Sequence, residues 1–222
     1  MGELGRYPLG VDIVANILMY HKHLQSEKSS CLLKKAVIAN KALKRKDSWM
    51  LQLDKILDFL SCHSITPNMS WTTIINNLNR LYNKYWKDSL TSQNKLRTYK
   101  LFKTELIYEN YLSQCNLKYR KSLTRFRISA HRLEIEKGRY SRPPVPASQR
   151  LCKSCKDKVE DELHFLIECS KLSESRVELF KTVSNICPNF NSLNENEKFI
   201  FLMSAEGETA QFISKFLAKC LP

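Results

Sequence analysis

Residues 117–133, LKYRKSLTRFRISAHRL, carry the helical pattern that decides the fold class of this 222-residue chain. Apolar side chains recur there at spacings of four, three, four and three residues, which places them on one face of an α-helix. The stripe consists of Tyr119, Leu123, Phe126, Ala130 and Leu133. We therefore expect one helix over this segment, with its apolar face packed on a hydrophobic core.

The opposite face of the same segment carries a row of cations. The row consists of Lys118, Lys121, Arg125 and Arg132, flanked by Arg120 and Arg127. No acidic residue lies between Glu109 and Glu134, although surface helices usually intersperse both signs. A solvated basic face is the alternative interpretation. We favour phosphate binding, with Arg125 and Arg127 as first choices, because a forked guanidinium suits bidentate contacts.

The predicted nucleic-acid contacts extend beyond this helix. They are Lys95, Arg97, Lys100, Lys103, Lys118, Lys121, Arg125, Arg127, Arg132 and Arg139. Residues 1–150 hold 27 Lys and Arg against 11 Asp and Glu, whereas residues 151–222 hold 9 against 11. Such asymmetry indicates that the first part meets a polyanion, here RNA and/or DNA. The alternative is that the net charge of +14 serves solubility.

Residues 152–169, CKSCKDKVEDELHFLIEC, place four metal-binding side chains in the spacing C-x2-C-x8-H-x4-C. The four are Cys152, Cys155, His164 and Cys169. Two thiolates two residues apart can face one ion from a tight turn, and a His and a Cys five residues apart can reach it from a short helix. Four such ligands at about 2.0–2.3 Å form a closed tetrahedral zinc site. We expect one structural Zn²⁺.

Other interpretations of these residues are weaker. A redox C-x-x-C pair would follow a βα unit, which is missing here, and a disulfide would need an oxidising compartment. The simplest alternative is that these cysteines are buried free thiols. Cys187 is a candidate to replace one of the four ligands. Glu160 and Asp161 suit the N-terminus of the His164 helix, and either can orient the His ring as an acceptor.

The N-terminal residues lack the apolar segment of a secretory signal, so we expect an intracellular protein, nuclear and/or cytoplasmic and not secreted. The basic run Lys41–Lys46 is compatible with nuclear import. No stretch of about 18 uncharged apolar residues is present, which argues against a membrane partner.

Helical periodicity also dominates the rest of the chain, and only 5 Gly and 7 Pro argue against a turn-rich β fold. We predict helices over residues 11–24, 31–43, 70–89 and 95–106, one that Ser48 caps, and three after residue 169. The expected fold is all-α, a multi-helix bundle with a small C-terminal CCHC zinc module on a short helix. We divide the chain into a basic helical domain (1–137), a Pro-rich linker (138–150) and the zinc-binding module with C-terminal helices (151–222).

Several stretches together resemble the C-terminal region of reverse transcriptases from non-LTR retrotransposons. They are ELGRYPL (3–9), KLRTYKLFK (95–103), LTRFRISAH (123–131) with IEKGR (135–139), and the Cys152/Cys155/His164/Cys169 cluster with EDE (160–162). The last two are the most specific because their order and separation also match. The cluster resembles that family's terminal zinc-binding module.

The resemblance implies a role in handling template RNA or target DNA beside an upstream polymerase domain. It does not imply polymerase activity, since the family's catalytic aspartates lie upstream and this chain has no Asp-Asp pair. We also find no Ser/His/Asp order and no Gly-rich phosphate loop, so we expect neither an enzyme nor a small-molecule substrate. The alternative function is a zinc-stabilised interaction or structural module that docks on a polymerase or another subunit.

Overall fold

Helices dominate the computed structural model of the chain, which describes residues 2–26, 30–42, 48–59 and 70–221. Within those ranges there is no β-strand, and one isolated antiparallel bridge joins Leu151 to Val159. The predicted all-α fold is confirmed. Each described helix is either too short or too polar to span a lipid bilayer.

Eleven α-helices and a π-helical turn make up the described structure. The α-helices are α1 (Leu9–Gln25), α2 (Cys31–Ala42), α3 (Trp49–Phe59), α4 (Trp71–Ser92), α5 (Tyr99–Phe102), α6 (Tyr111–Gln114), α7 (Leu117–Arg127), α8 (Glu134–Lys137), α9 (Ser173–Ile186), α10 (Glu195–Met203) and α11 (Gly207–Cys220). The π-helical turn covers His164–Glu168. Short 3₁₀ turns lie at Asn94–Leu96, Ala147–Gln149, Ser170–Leu172 and Pro188–Ser192.

Contacts group these elements into two units. The first unit contains the described residues of the range 6–88, and the second contains residues 2–5 and 89–221. The expected boundary at residues 138–150 lies inside the second unit, because α7 before it packs against α11 after it. The Pro-rich segment itself is held in place, since Arg150 donates to the Ile135 carbonyl at 2.6 Å and the Val145 amide donates to Gly138 at 2.9 Å.

The first unit is built from α1 to α4. Its buried core includes Ala15, Leu18, Met50, Leu53 and Ile74. The predicted cap of α3 is present, because the Ser48 hydroxyl accepts a hydrogen bond from the Leu51 amide at 3.4 Å.

The second unit has a larger core that the metal-site segment shares with the C-terminal helices. Phe126 of α7, Phe165 of the π-helical turn and Ile213 of α11 belong to one buried cluster. The three helices predicted after residue 169 are confirmed as α9, α10 and α11. The metal-site segment is therefore part of this unit's core.

The helix predicted over residues 117–133 ends early, at Arg127. Its start is capped by Asn116, whose side chain accepts from the Lys118 amide. At the other end Ser129 adopts a φ of 53°, a left-handed conformation that ends the helix. Ala130, expected in the core, is consequently exposed. The helix expected over 95–106 is likewise reduced to a 3₁₀ turn and α5.

One sequence prediction falls outside the described residues. Most of the basic run Lys41–Lys46 belongs to the undescribed residues 43–47, so its proposed role in import has no structural account here.

Candidate metal centre and basic surface

The four residues of the C-x2-C-x8-H-x4-C motif converge. One ligand atom from each of Cys152, Cys155, His164 and Cys169 lies within 4.8 Å of the others. The Cys169 sulfur is 3.9 Å from that of Cys152 and 3.7 Å from that of Cys155. Two sulfurs bound to one tetrahedral ion at about 2.3 Å lie roughly 3.8 Å apart, whereas a disulfide spans about 2.05 Å. The group can hold a metal ion, as the spacing predicts.

A tight turn presents the first two cysteines. The Lys156 amide donates to the Cys152 carbonyl at 2.8 Å, and the Cys152 amide donates to the Lys158 carbonyl at 2.9 Å. Lys156 has a φ of 64°, the left-handed conformation that closes such a turn. Both thiols are thereby directed to one side of the chain.

The π-helical turn presents the other two ligands. The Cys169 amide donates to the His164 carbonyl at 2.8 Å, a five-residue step that matches the spacing of the two ligands. The Asp161 carboxylate caps this turn by accepting from the His164 amide at 2.8 Å. The predicted N-terminal role of Asp161 is thus present.

The His164 ring is oriented by Glu168, and the structure corrects the expectation that Glu160 or Asp161 does so. Glu168 Oε2 lies 3.2 Å from His164 Nδ1. Glu160 instead accepts from the Glu134 amide. The buried Nε2 of His164 has no hydrogen-bond partner within the described part of the chain. A buried ring nitrogen with no partner, on a histidine whose ligand atom lies within 4.8 Å of three thiol sulfurs, is the arrangement expected of a metal ligand.

The thiols differ in acidity. The Ser170 hydroxyl, 3.3 Å away, and the Ser170 amide donate to Cys155 and lower the pKa of that thiol to about 6. Burial raises the pKa of Cys169 to about 11, although the Lys171 amide partly offsets this. In the absence of a metal, one ligand is therefore largely ionised at neutral pH while another is protonated.

Arg176 of α9 completes the surroundings of the site, and sequence reasoning missed it. Its buried guanidinium donates to the carbonyls of Cys169 at 2.7 Å and Leu166 at 2.9 Å. These carbonyls end the π-helical turn and would otherwise lack partners. Its position in the helix was the one indication that it is buried, because Arg176 lies on the same face of α9 as the buried Leu179 and Val183.

Glu162 has a role that sequence reasoning also missed. It connects the metal-site segment to the chain around α7. Its buried carboxylate accepts from Ser129 Oγ at 2.7 Å, lies 2.9 Å from His131 Nε2, and pairs with Arg97. Burial raises the pKa of Glu162, but the His131 hydrogen bond and the Arg97 charge outweigh it, so the pKa lies below its usual range. The carboxylate two residues before His164 thus holds the turn that ends α7.

The predicted nucleic-acid residues fall into two groups. Five of the ten are exposed, namely Lys100, Lys118, Lys121, Arg125 and Arg132. What we call the α7 basic face consists of Lys118, Lys121 and Arg125 on α7 together with Arg132, which lies five residues beyond the end of that helix. No ion pair involves any of these four within the described residues.

The other predicted contacts are engaged within the protein. Arg127 is 2% exposed and pairs with Glu3 and Glu109, and Lys103 is also 2% exposed and pairs with Glu109. The structure corrects the expectation that these two side chains touch phosphate, because burial and two carboxylates already satisfy them. The remaining three are half-buried, namely Lys95, Arg97 and Arg139, of which the last two pair with Glu136.

A comparison of the chain with known protein families, with characterised proteins and with solved structures finds no match.

Proposed function

We propose that this chain is a zinc-stabilised helical module that binds the phosphate backbone of RNA and/or DNA without catalytic activity of its own. By the resemblance of its motifs, it corresponds to the C-terminal portion of a retroelement reverse transcriptase. Its partners would be template RNA or target DNA and an upstream polymerase domain.

Zinc is the metal that best suits the four-residue group. Three sulfurs and one imidazole nitrogen form a soft, four-coordinate ligand set, which zinc accepts and calcium or magnesium does not. The sulfur separations of 3.7 and 3.9 Å suit a tetrahedral ion. With all four positions filled by the protein, such an ion stabilises the fold.

The α7 basic face is the observation that carries the nucleic-acid proposal. Leu123 and Phe126 anchor the other side of α7 in the core, so the helix is held rigidly while its cations remain in solvent. Charges that only kept the protein soluble would gain from acidic neighbours, yet none pairs with this face in the described structure. Unpaired cations on a fixed helix are the usual means of contacting phosphates.

Salt dependence of binding tests this proposal. The zinc-loaded full chain would be titrated into labelled RNA and DNA oligonucleotides at salt concentrations from about 50 to 300 mM, with fluorescence anisotropy as the readout. Neutralising four phosphates predicts a log–log slope of about −3 to −4. Absence of binding at the lowest salt, or a slope near zero, would contradict it.

One observation favours a second function, protein docking by the first unit. A cavity of about 500 Å³ opens between α1, α3 and α4, with a lining that includes Val14, Ile56 and Leu78. Leu9 and Tyr85 are also 72% and 63% exposed, which is high for large apolar side chains. Co-purification with a protein partner, but not with nucleic acid, would favour this alternative.

A further inference from the structure

A polar pocket lies at the C-terminal end of the α7 basic face. It has a volume of about 350 Å³ and is lined by Ser122, Arg125, Ala130, His131, Arg132 and Leu221. Its size falls within the range of small-ligand sites, about 300–1,000 Å³. Two arginines from different segments, Arg125 of α7 and Arg132 of the turn after it, therefore line one cavity.

We propose that this pocket holds one phosphate group of a nucleic-acid backbone, bound by Arg125 and Arg132 with the Ser122 hydroxyl as a further donor. The inference rests on the proposed function and specifies where on the basic face the tightest phosphate contact lies. The ligand is a phosphodiester anion, and the lining provides donors suited to it.

Six of the nine arginines in residues 89–221 are bonded within the protein, and Arg142, which has no such bond in the described structure, does not line the pocket. Arg97, Arg127 and Arg139 pair with glutamates. Arg120, Arg150 and Arg176 donate to backbone carbonyls. Arg125 and Arg132 have neither kind of partner among the residues that the structure describes. Their donors are therefore free for a ligand.

The back of the pocket is rigid. Both ring nitrogens of His131 are engaged, since Nε2 lies 2.9 Å from the Glu162 carboxylate and Nδ1 accepts from the Leu133 amide at 3.4 Å. The Ala130 amide also donates to the Arg125 carbonyl at 2.7 Å. These bonds fix the backbone from which both arginines extend, so little conformational freedom is lost when the anion binds.

His131 itself is a positioning residue in this arrangement. Its side chain is fully buried and its ring nitrogens are satisfied within the protein. The contact to phosphate therefore falls to the arginines and the serine.

Two double variants with the same loss of charge test the proposal. Arg125→Gln/Arg132→Gln removes both guanidinium groups from the pocket. Lys118→Gln/Lys121→Gln removes two cations from the same basic face but outside the pocket, and is the matched control. All four side chains are exposed, so both variants should fold and retain metal.

The readout is anisotropy with the oligonucleotide that the unaltered protein binds. We expect the arginine pair to weaken binding about tenfold more than the lysine pair, because fixed, charge-assisted bonds are lost. Arg125→Lys/Arg132→Lys should weaken binding to an intermediate extent, since it keeps both positive charges but loses the forked guanidinium groups.

A second measurement addresses the site directly. A dinucleoside monophosphate such as dTpT, which has a single phosphodiester, should shift the side-chain Nε–Hε NMR signals of Arg125 and Arg132 but leave that of Arg97 in place.

The two proposals fail in different ways. Equal losses in the arginine and lysine variants, or Arg125 and Arg132 signals that dTpT leaves unmoved, overturn the pocket while general binding stands. Absence of oligonucleotide binding by the unaltered protein overturns the proposed function and the pocket together.

Discussion

Arg127 and Glu3 are 124 residues apart in the sequence, yet Arg127 Nε donates to Glu3 Oε2 at 3.0 Å in the interior of the second unit. Tyr111 donates to the same carboxylate, and Arg127 also pairs with Glu109 at 2.5 Å. The N-terminal residues 2–5 consequently belong with the C-terminal part of the chain. This network stabilises the interior of the second unit, which supports the α7 basic face, and none of its side chains belongs to that face.

Arg127→Met should destabilise the second unit without acting directly on nucleic-acid binding. The change leaves the buried Glu3 carboxylate without its cation and removes one of the two cations that pair with the half-buried Glu109. Breaking such a buried pair costs about 3–5 kcal/mol. Denaturant unfolding of the zinc-loaded protein measures it. Arg125→Met, two residues earlier on α7 and exposed, is the control and should leave stability nearly unchanged. Wild-type stability of Arg127→Met combined with weaker RNA binding would show that Arg127 contacts phosphate after all.

Cys169→Ser should abolish stoichiometric metal binding, because it removes the thiolate that lies near both other sulfurs. Cys187→Ser is the control, since Cys187 packs on the core and is not part of the four-residue group. Metal content of the purified proteins, measured by atomic emission, distinguishes them. Retention of one zinc by Cys169→Ser, or its loss from Cys187→Ser, would overturn the ligand assignment.

Ser170→Ala should make zinc binding more sensitive to acid. Ser170 lowers the pKa of Cys155 to about 6, so removing its hydroxyl raises that pKa. Zinc must then displace an additional proton at neutral pH, and affinity falls. The loss of zinc affinity should be greatest below about pH 6, where Cys155 is protonated in both metal-free proteins. It should shrink through neutral pH and disappear once the pH exceeds the raised pKa, where Cys155 is ionised in both proteins.

Zinc competition with a chromophoric chelator across this pH range provides the measurement. Ser175→Ala on α9 is the matched control and should follow the unaltered protein. A deficit in Ser170→Ala that is constant with pH would point to a purely steric effect.

Arg176→Met should loosen the π-helical turn. It leaves the carbonyls of Cys169 and Leu166 buried without their donor, at a cost of roughly 1–3 kcal/mol. Three thiolates and one Zn²⁺ carry a net charge of −1, so the loss of this nearby cation should also weaken zinc binding. Thermal unfolding with and without zinc checks this, with the exposed Lys181→Met as control. A melting temperature unchanged in both states would refute it.

Local spacing predicted the helical fold class and the metal group, because both depend on residues close in sequence. The C-x2-C-x8-H-x4-C group lies within 18 residues, and its convergence needs only one turn and one short helix. The apolar periods of α1, α4 and α11 are similarly local.

Local spacing did not predict the features that depend on contacts between residues distant in the sequence. The helix predicted to Leu133 ends at Arg127, where Ser129 reaches Glu162 across 33 residues. Arg127 lies four residues after the buried Leu123, at the border of the apolar stripe, which was the one local signal of its burial. No periodic pattern in the sequence indicates that Glu3 is the partner of Arg127.

The most direct test of the central claim is to locate the binding surface by matched removal of charge. One variant replaces the α7 basic face (Lys118, Lys121, Arg125 and Arg132) with glutamine. The control replaces four exposed lysines on or beside α9 and α11 with glutamine, namely Lys171, Lys181, Lys215 and Lys219. Both variants lose four positive charges, and zinc content is checked in each.

Anisotropy with the same labelled RNA and DNA, as a function of salt, is the readout. The account predicts that the basic-face variant loses at least about tenfold more affinity than the control and most of its salt slope, since phosphate contacts carry that slope. Equal losses in the two variants would contradict it, because nucleic acid would then respond to net charge and not to this face.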